Sequence, residues 1–457
     1  MKISVKIFFK NISIKGLKNL PLNRPVLLAS NHINAFLDAI VLAVFVKQRL
    51  CFLARSDVFN TPLKRWLLGQ LHIAPIYRIE EGAEHLHKNS DTFQKSYKLL
   101  KEKSTLLIFP EGTCVQERRI RKLRKGAARI AFGAEEFCEF NLNLCIVPVG
   151  INYSTPAQFG GDMFVNIAAP IEVSEYISSY KKDKAKTINQ LTFDLENEMK
   201  KLVVVIENKA DDEFVERVEK LFLEKINPEK DFFATQKLIS NLNDFEKNDK
   251  ENFDKWRTKT NHYFNEIKQL NLKDKFLKKE FSNWDIFKLI IPKIILIPID
   301  FTWFLFGVFA NYIPFKIPYL ITKKVVKNVE FFSSVNLAIG TIIFSIYYSL
   351  QSLFFLFCFH NYIKIFLWIS DINEMIGHVF FNLCYTLQTV LNYLFFSDII
   401  LAVLFVFAAK SAGFFALEYE YSWKEMKEII KTKNNSKVKK LAEHRRELLN
   451  ELNLQGF

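Results

Sequence analysis

From residue 336 to residue 359 the chain reads NLAIGTIIFSIYYSLQSLFFLFCF, 24 positions without one charged side chain. About 20 consecutive apolar residues suffice for a helix to cross a bilayer, where every backbone N–H and C=O must be satisfied within the segment. This stretch therefore predicts a transmembrane helix, and any fold assigned to the chain has to accommodate it. A second stretch, 387–409, is interrupted by Asp398 alone. An earlier apolar segment, 292–318, contains Pro292, Pro298, Pro314 and Pro318. Proline removes a helical donor and clashes with the preceding turn, so this segment is expected to be re-entrant or interfacial.

The rest of the chain is different in kind. Of 457 residues, 49% are hydrophobic and 25% charged, ordinary averages for a globular protein. Nearly all the charge, however, lies before Asp285 or after Lys424. That partition predicts four parts: an α/β domain over 1–173, a charged amphipathic helical region over 174–283, a membrane region over 284–423, and a basic tail over 424–457. The formal net charge of +14 calls for a polyanionic surface. With long apolar runs and no nucleic-acid-binding signature, membrane lipids are the expected partner and nucleic acid is not. Lys316, Lys323, Lys324 and Lys327 precede the first span, and a Lys- and Arg-rich tail follows the second. The positive-inside bias then puts both flanks, and the N-terminal domain, on the cytoplasmic face of the cytoplasmic membrane. Six scattered cysteines without C-x-x-C or metal-ligand spacing fit a reducing compartment and imply no metal site. Residues 1–10 lack the apolar core of a signal peptide.

Between residues 25 and 173, short apolar runs alternate with helical patterns. Strands are predicted at 26–29, 50–54, 73–77, 105–109, 144–152 and 163–168, and helices at 36–46, 62–69, 84–101 and 123–140. Such alternation implies a central sheet flanked by helices.

Chemistry-bearing residues cluster where these strands end. Ser30-Asn31-His32 follows an apolar strand, and Asp38 lies shortly beyond it. A histidine partnered by a carboxylate can remove a proton from a hydroxyl near neutral pH. No G-x-S-x-G elbow accompanies it, so the attacking hydroxyl would belong to a substrate. Arg78 closes the 73–77 strand, and Phe109-Pro110-Glu111-Gly112-Thr113 closes the 105–109 strand, followed by Arg118, Arg119, Arg121, Lys122, Arg124 and Lys125. A glycine turn at a strand end lets main-chain N–H groups approach an anion. Val147-Pro148-Val149-Gly150 forms the last of these strands.

Taken together, the His/Asp, Arg, Pro-Glu-Gly and Val-Pro-Val-Gly blocks resemble the glycerol-phosphate acyltransferase superfamily, over about residues 25–171. The resemblance implies direct O-acylation of a phosphate-bearing glycerol acceptor by acyl-CoA or acyl carrier protein, with no metal or organic cofactor. His32 would be the general base and Asp38 its partner. Arg78 would bind the acceptor phosphate, and Asn31, Asn34, Glu111, Gly112, Thr113 and Lys125 would line the substrate site. One departure stands out. Five residues, 33–37, separate His32 from Asp38 where most of the superfamily has four, and on a helix one residue turns the partner by about 100°. Either the turn bulges or Asn34 shares the orienting role. The longer spacing and Lys125-Gly126-Ala127 look like the fungal-type branch that acylates glycerol 3-phosphate and dihydroxyacetone phosphate. Lysophosphatidate acylation, lysophospholipid transacylation and a catalytically idle lipid-binding protein are the alternatives.

Overall fold

The protein, described here by a computed structural model, begins with helix α1 (Lys2–Phe8) and strand β1 (Asn11–Lys15). There follow β2 (Val26–Ser30), α2 (Ala35–Phe45), β3 (Leu50–Arg55), β4 (Ile73–Ile76), α3 (Lys88–Lys101), β5 (Thr105–Ile108), α4 (Gly126–Phe137), β6 (Cys145–Tyr153), β7 (Asp162–Ile167) and β8 (Ile171–Glu172). The structure describes residues 2–48, 50–55, 59–62, 65, 66, 69, 73–76, 88–156, 158–224, 226–278, 282–372, 397–433 and 436–453. Its strands form one sheet in the order β1-β7-β6-β2-β5-β3-β4, with β8 beside β6. Strands β6, β2, β5, β3 and β4 run parallel, whereas β7 and β8 run antiparallel to β6.

Every residue of β2 is buried, as expected of a central parallel strand covered on both faces. The register aligns Leu27 with Leu106 and Ile146, and Ala29 with Ile108. Those side chains join one apolar cluster with Ile130, Ala131 and Phe132 of α4 and with Leu191, Leu195 and Met199 of a later helix, α6. Burying a Leu or Ile side chain contributes about 1.5–3 kcal/mol, so a charge at Leu27 would break the sheet's attachment to α4. Because β2 and β5 are adjacent and parallel, their carboxyl ends bring the His32 and Glu111 loops side by side.

Helices follow the sheet: α5 (Ile177–Lys182), α6 (Lys184–Leu202), α7 (Asp212–Phe222), α8 (Pro228–Asn248) and α9 (Lys250–Gln269). Their starts carry the expected chemistry. Asp183, Asn227 and Asp249 each accept a main-chain N–H from the first turn of the helix they cap. Helices α6 to α9 each bury an apolar stripe, such as Phe214, Val218 and Leu221 of α7.

Three long helices come next: α10 (Asn283–Val325), α11 (Phe332–Ile372) and α12 (Ser397–Lys433), followed by α13 (Ser436–Asn453). Among the described residues, three segments are long and apolar enough to cross a membrane: Asp300–Val325 in α10, Val329–Phe359 running into α11, and Ile400–Ile430 in α12. The expected span at 336–359 lies inside α11. Of the span expected at 387–409, residues 387–396 lie outside the described residues and 397–409 are helical.

The proline-rich segment 292–318 lies within α10, which runs for 43 residues through Pro292, Pro298, Pro314 and Pro318. Proline removes one helical bond, but with no water to satisfy a frayed backbone an unravelled segment at membrane depth loses several more.

The chain divides into two compact units, and they cut across the borders expected from composition. One comprises Met1–Leu270, Val326–Val335 and Glu443–Phe457; the other comprises Asn271–Val325 and Asn336–Ala442. The helical arm thus shares a unit with the sheet. In that unit the last helix docks on the arm, where Leu448 O accepts from Trp256 Nε1 at 3.2 Å and Leu221 O accepts from Arg445 at 2.7 Å. In the other unit α10 and α12 lie so close that a Cβ at Gly307 would meet the Ala412 carbonyl oxygen at 2.1 Å. Asn311 donates to Ala409 O at 2.8 Å and accepts from the Tyr348 hydroxyl at 2.5 Å, tying α10, α11 and α12 together.

Candidate active site

The site forms where β2 and β5 end. Asn31 continues the β2–β6 pairing with its side chain: Nδ2 donates to Ile151 O at 2.9 Å and Oδ1 accepts from Ile151 N at 2.7 Å. It is buried and its amide is committed to the main chain of β6, so it holds the strand end in place. The next residue, His32, is pinned through its own backbone. Its N–H donates to Glu111 Oε1 at 3.0 Å, and its carbonyl accepts from Val115 N at 3.2 Å.

Three groups set the His32 ring. Nδ1 lies 3.0 Å from Asp38 Oδ2, and the ring stacks on Phe109 with centroids 3.9 Å apart and planes 13° from parallel. A carboxylate only accepts hydrogen bonds, so the proton of the neutral ring sits on Nδ1 and Nε2 presents a lone pair. The His32 side chain is 17% exposed and that of Asp38 is 0% exposed, which leaves the imidazole reachable and the carboxylate sealed.

Asp38 is held from every side. Oδ2 also accepts from Ile33 N and Asn34 N at 2.8 Å each, and Oδ1 accepts from the Tyr153 hydroxyl at 2.8 Å. Burial pushes the Tyr153 hydroxyl well above its usual range, and the neighbouring Asp38 pushes it further. It therefore stays protonated and donates. Behind it, Tyr153 stacks on Phe9 at 5.6 Å.

The extra residue between His32 and Asp38 is absorbed in a bulge. Ala35, the first residue of α2, has φ 39°, a left-handed conformation rare for a residue with a side chain. That turn restores the His32–Asp38 contact, so the orienting carboxylate is Asp38 itself. The Asn34 side chain is engaged elsewhere, donating to Pro156 O at 2.9 Å and accepting from Gln116 Nε2 at 2.7 Å.

Glu111 is buried, and both its oxygens bind main chain: Oε1 takes His32 N and Oε2 takes Arg121 N at 3.2 Å. Burial pushes its carboxyl up to about 7, against the pull of those two N–H groups and of Arg121. Gly112 sits at φ 71°, where a Cβ would also strike the Arg124 side chain at 2.7 Å. Thr113 is half-buried beside it, and Lys125 is exposed at the start of α4. Burial pushes the Cys114 thiol up to about 12, and its sulfur accepts the Ala35 N–H at 3.0 Å. The basic run is partly neutralised. Arg118 pairs with Glu219, Arg119 with Asp212 at 2.5 Å, and Arg121 with Glu117 at 3.2 Å. Arg78 lies outside the described residues.

His32, Asp38 and Glu111 are thus brought together as the strand ends imply, whereas Asn31 and Asn34 hold protein groups. Tyr153, Phe109 as a ring support, and Gln116 were not anticipated. Only Tyr153 had a legible signal: it lies two residues beyond Ile151 on β6, on the same face.

Residues 11–152 match the family model described as Acyltransferase. Over 130 residues the chain is 31% identical to a chloroplastic 1-acyl-sn-glycerol-3-phosphate acyltransferase of Arabidopsis thaliana, covering 28% of this chain and 34% of that one. It is 24% identical over 138 residues to a probable 1-acyl-sn-glycerol-3-phosphate acyltransferase of Mycoplasma pneumoniae, covering 29% of this chain and 49% of that one. The chain therefore spans about a third to a half of the length of these curated relatives. A crystal structure of the 1-acyl-sn-glycerophosphate acyltransferase from Thermotoga maritima aligns with 18% identity and a TM-score of 0.31, covering 42% of this chain and 74% of that one.

Proposed function

Because its α/β domain, residues 11–152, belongs to the glycerol-phosphate acyltransferase superfamily, we propose that the protein acylates the free hydroxyl of a 1-acylglycerol 3-phosphate held in a membrane. The observation that carries this reading is the His32–Asp38 contact at 3.0 Å, made by a histidine whose side chain is 17% exposed. Nε2 takes the hydroxyl proton as the acceptor oxygen attacks the thioester carbonyl of acyl-CoA or acyl carrier protein. The tetrahedral adduct then collapses, the C–S bond breaks, and the departing sulfur recovers the proton from the imidazolium. Asp38 stabilises that cation while it exists. Arg78 and Lys125 are the groups assigned to the acceptor phosphate, and Gly112 and Thr113 to its glycerol.

One observation favours a lysophosphatidate acceptor over glycerol 3-phosphate or dihydroxyacetone phosphate. The relatives above carry that activity in their names. The longer His32–Asp38 spacing, which pointed to the other acceptors, is taken up at Ala35 without displacing the pair, so it holds no information about the acceptor.

The domain is assigned to the cytoplasmic face of the cytoplasmic membrane, where soluble acyl donors are available. We assign α10 to the re-entrant or interfacial role expected of its proline-rich sequence, and α11 and α12 to the crossings. Single-cysteine probes at Ser282 and Lys324 should both resist an impermeant reagent in sealed cells; protection of only one overturns this topology.

The test of function is an acceptor panel on purified protein with acyl-CoA and acyl carrier protein donors. Lysophosphatidate should be the preferred acceptor, and His32→Ala should lose about 10²–10⁴-fold in rate while remaining folded. Comparable kcat/KM for glycerol 3-phosphate, or a loss below about tenfold in the variant, refutes the reading.

A further inference from the structure

The first turn of α2 is short of local support. Asn34 stands at its N-cap yet makes no side-chain bond to the helix, and Ala35 sits at φ 39°. A strained turn persists only where its surroundings over-determine it. Here the surroundings come from far along the chain. The Leu37 N–H, shared with Asn34 O at 2.8 Å, donates to Ser334 Oγ at 2.9 Å. Ser334 Oγ in turn donates to Asn34 O at 2.9 Å. One hydroxyl thus accepts from a first-turn helix donor and ties down the capping carbonyl, as a local Ser or Asp cap would do. Ser334 is 3% exposed, so no water competes for these bonds.

Its neighbours bind the same loop. Ser333 Oγ donates to Pro156 O at 2.7 Å, the carbonyl that also accepts from Asn34 Nδ2. Gln116 Nε2 bridges Asn34 Oδ1 at 2.7 Å and Val329 O at 3.3 Å, and Phe331 packs against Phe36 at 6.1 Å. Residues 326–335 and the sheet belong to one compact unit.

We propose that the 326–335 segment is a positioning element of the active site, in which Ser334 caps α2 from a distance and holds the five-residue His32–Asp38 turn in its working shape. Ser334 touches neither the imidazole nor the Asp38 carboxylate. It acts through Asn34 and Leu37, whose placement decides whether Asp38 Oδ2 can reach Nδ1. The inference rests on His32 being the general base, but its structural half stands apart from that reading.

The experiment uses full-length protein in bilayer discs. Ser334→Ala should lower kcat roughly tenfold, the scale of one lost buried hydrogen bond, while acceptor KM stays within twofold. Ser334→Thr, which keeps the hydroxyl, should recover most of the rate. Adding Ala35→Gly to Ser334→Ala should also recover rate, because glycine adopts the left-handed turn without being forced. Hydrogen exchange over residues 31–42 reads the cap without reference to activity and should quicken in Ser334→Ala alone. Wild-type protein that makes no product while Ser334→Ala still quickens exchange overturns the proposed function and keeps the cap. Wild-type kcat and unchanged exchange in Ser334→Ala overturn the cap, as does a rate loss that Ala35→Gly fails to restore.

Discussion

Replacing Asp38 by asparagine separates the charge of the proposed catalytic pair from its geometry. The carboxylate makes four hydrogen bonds, three through Oδ2 and one through Oδ1. An asparagine there has one oxygen, and the N–H groups of Ile33 and Asn34 dictate where it goes. The opposite flip would leave both buried donors facing an NH₂ group, at about 1–3 kcal/mol each. The oxygen therefore stays at the Oδ2 position, still accepting from His32 Nδ1, and the amide nitrogen faces Tyr153, whose hydroxyl turns from donor to acceptor. All four bonds survive, and the loss is the negative charge opposite the imidazolium. Exchanging a charge-assisted bond for a neutral one removes about 1.4 kcal/mol, or tenfold in rate. A full Coulomb treatment at 4 Å and an effective dielectric of 20 removes about 4 kcal/mol, or a thousandfold. Asp38→Asn should accordingly lower kcat by about tenfold to a thousandfold, with acceptor KM and melting temperature nearly unchanged, measured by thiol release from acyl-CoA. A folded variant with kcat within threefold of wild type would refute the reasoning. So would a rise in acceptor KM at constant kcat, which would make Asp38 a binding group.

Glu111 predicts a pH dependence of stability. Between about 4.5 and 7 the folded protein keeps a proton that the unfolded chain has released, so stability should fall by about 3 kcal/mol as pH rises through that window and level off above it. Thermal melts should show this slope in wild type and a flatter one in Glu111→Gln; an opposite slope contradicts the assignment. Tyr153→Phe removes one bond to Asp38 and should lower kcat by about threefold to tenfold without moving acceptor KM, read from steady-state kinetics. Gly307→Val puts a side chain where a Cβ already lies 2.1 Å from the Ala412 oxygen, and should lower the melting temperature of the purified protein by forcing α10 and α12 apart. An unchanged melt would mean the two helices do not pack there.

The parts legible in the sequence are those whose physics is local. Strands β2 to β7 each lie within two residues of the expected positions, because buried parallel strands read as unbroken apolar runs closed by Pro, Gly or charge. Strand β1, Asn-Ile-Ser-Ile-Lys, was missed: it is short, polar at alternate positions, and gains its place by pairing with β7 some 150 residues later. Strand β8 has only two residues and no pattern to detect. In the site, His32, Asp38 and Glu111 were found because they end strands that the sheet sets side by side. Ser334 could not be found that way. It is an ordinary serine in an apolar surround, and nothing in its neighbourhood along the chain marks the loop it supports.

His32 is held by its own N–H and C=O to the loop after β5, and by the residue before it to β6. On the proposed mechanism, a base fixed so firmly cannot travel toward one reactant or retreat from another, so every molecule that reacts must be delivered to it. Preference for a headgroup or a chain length then has to be encoded in walls that never touch the imidazole. Rate and selectivity become separately adjustable: selection for a new acceptor should leave residues 30–38 and 109–115 untouched and collect its changes elsewhere.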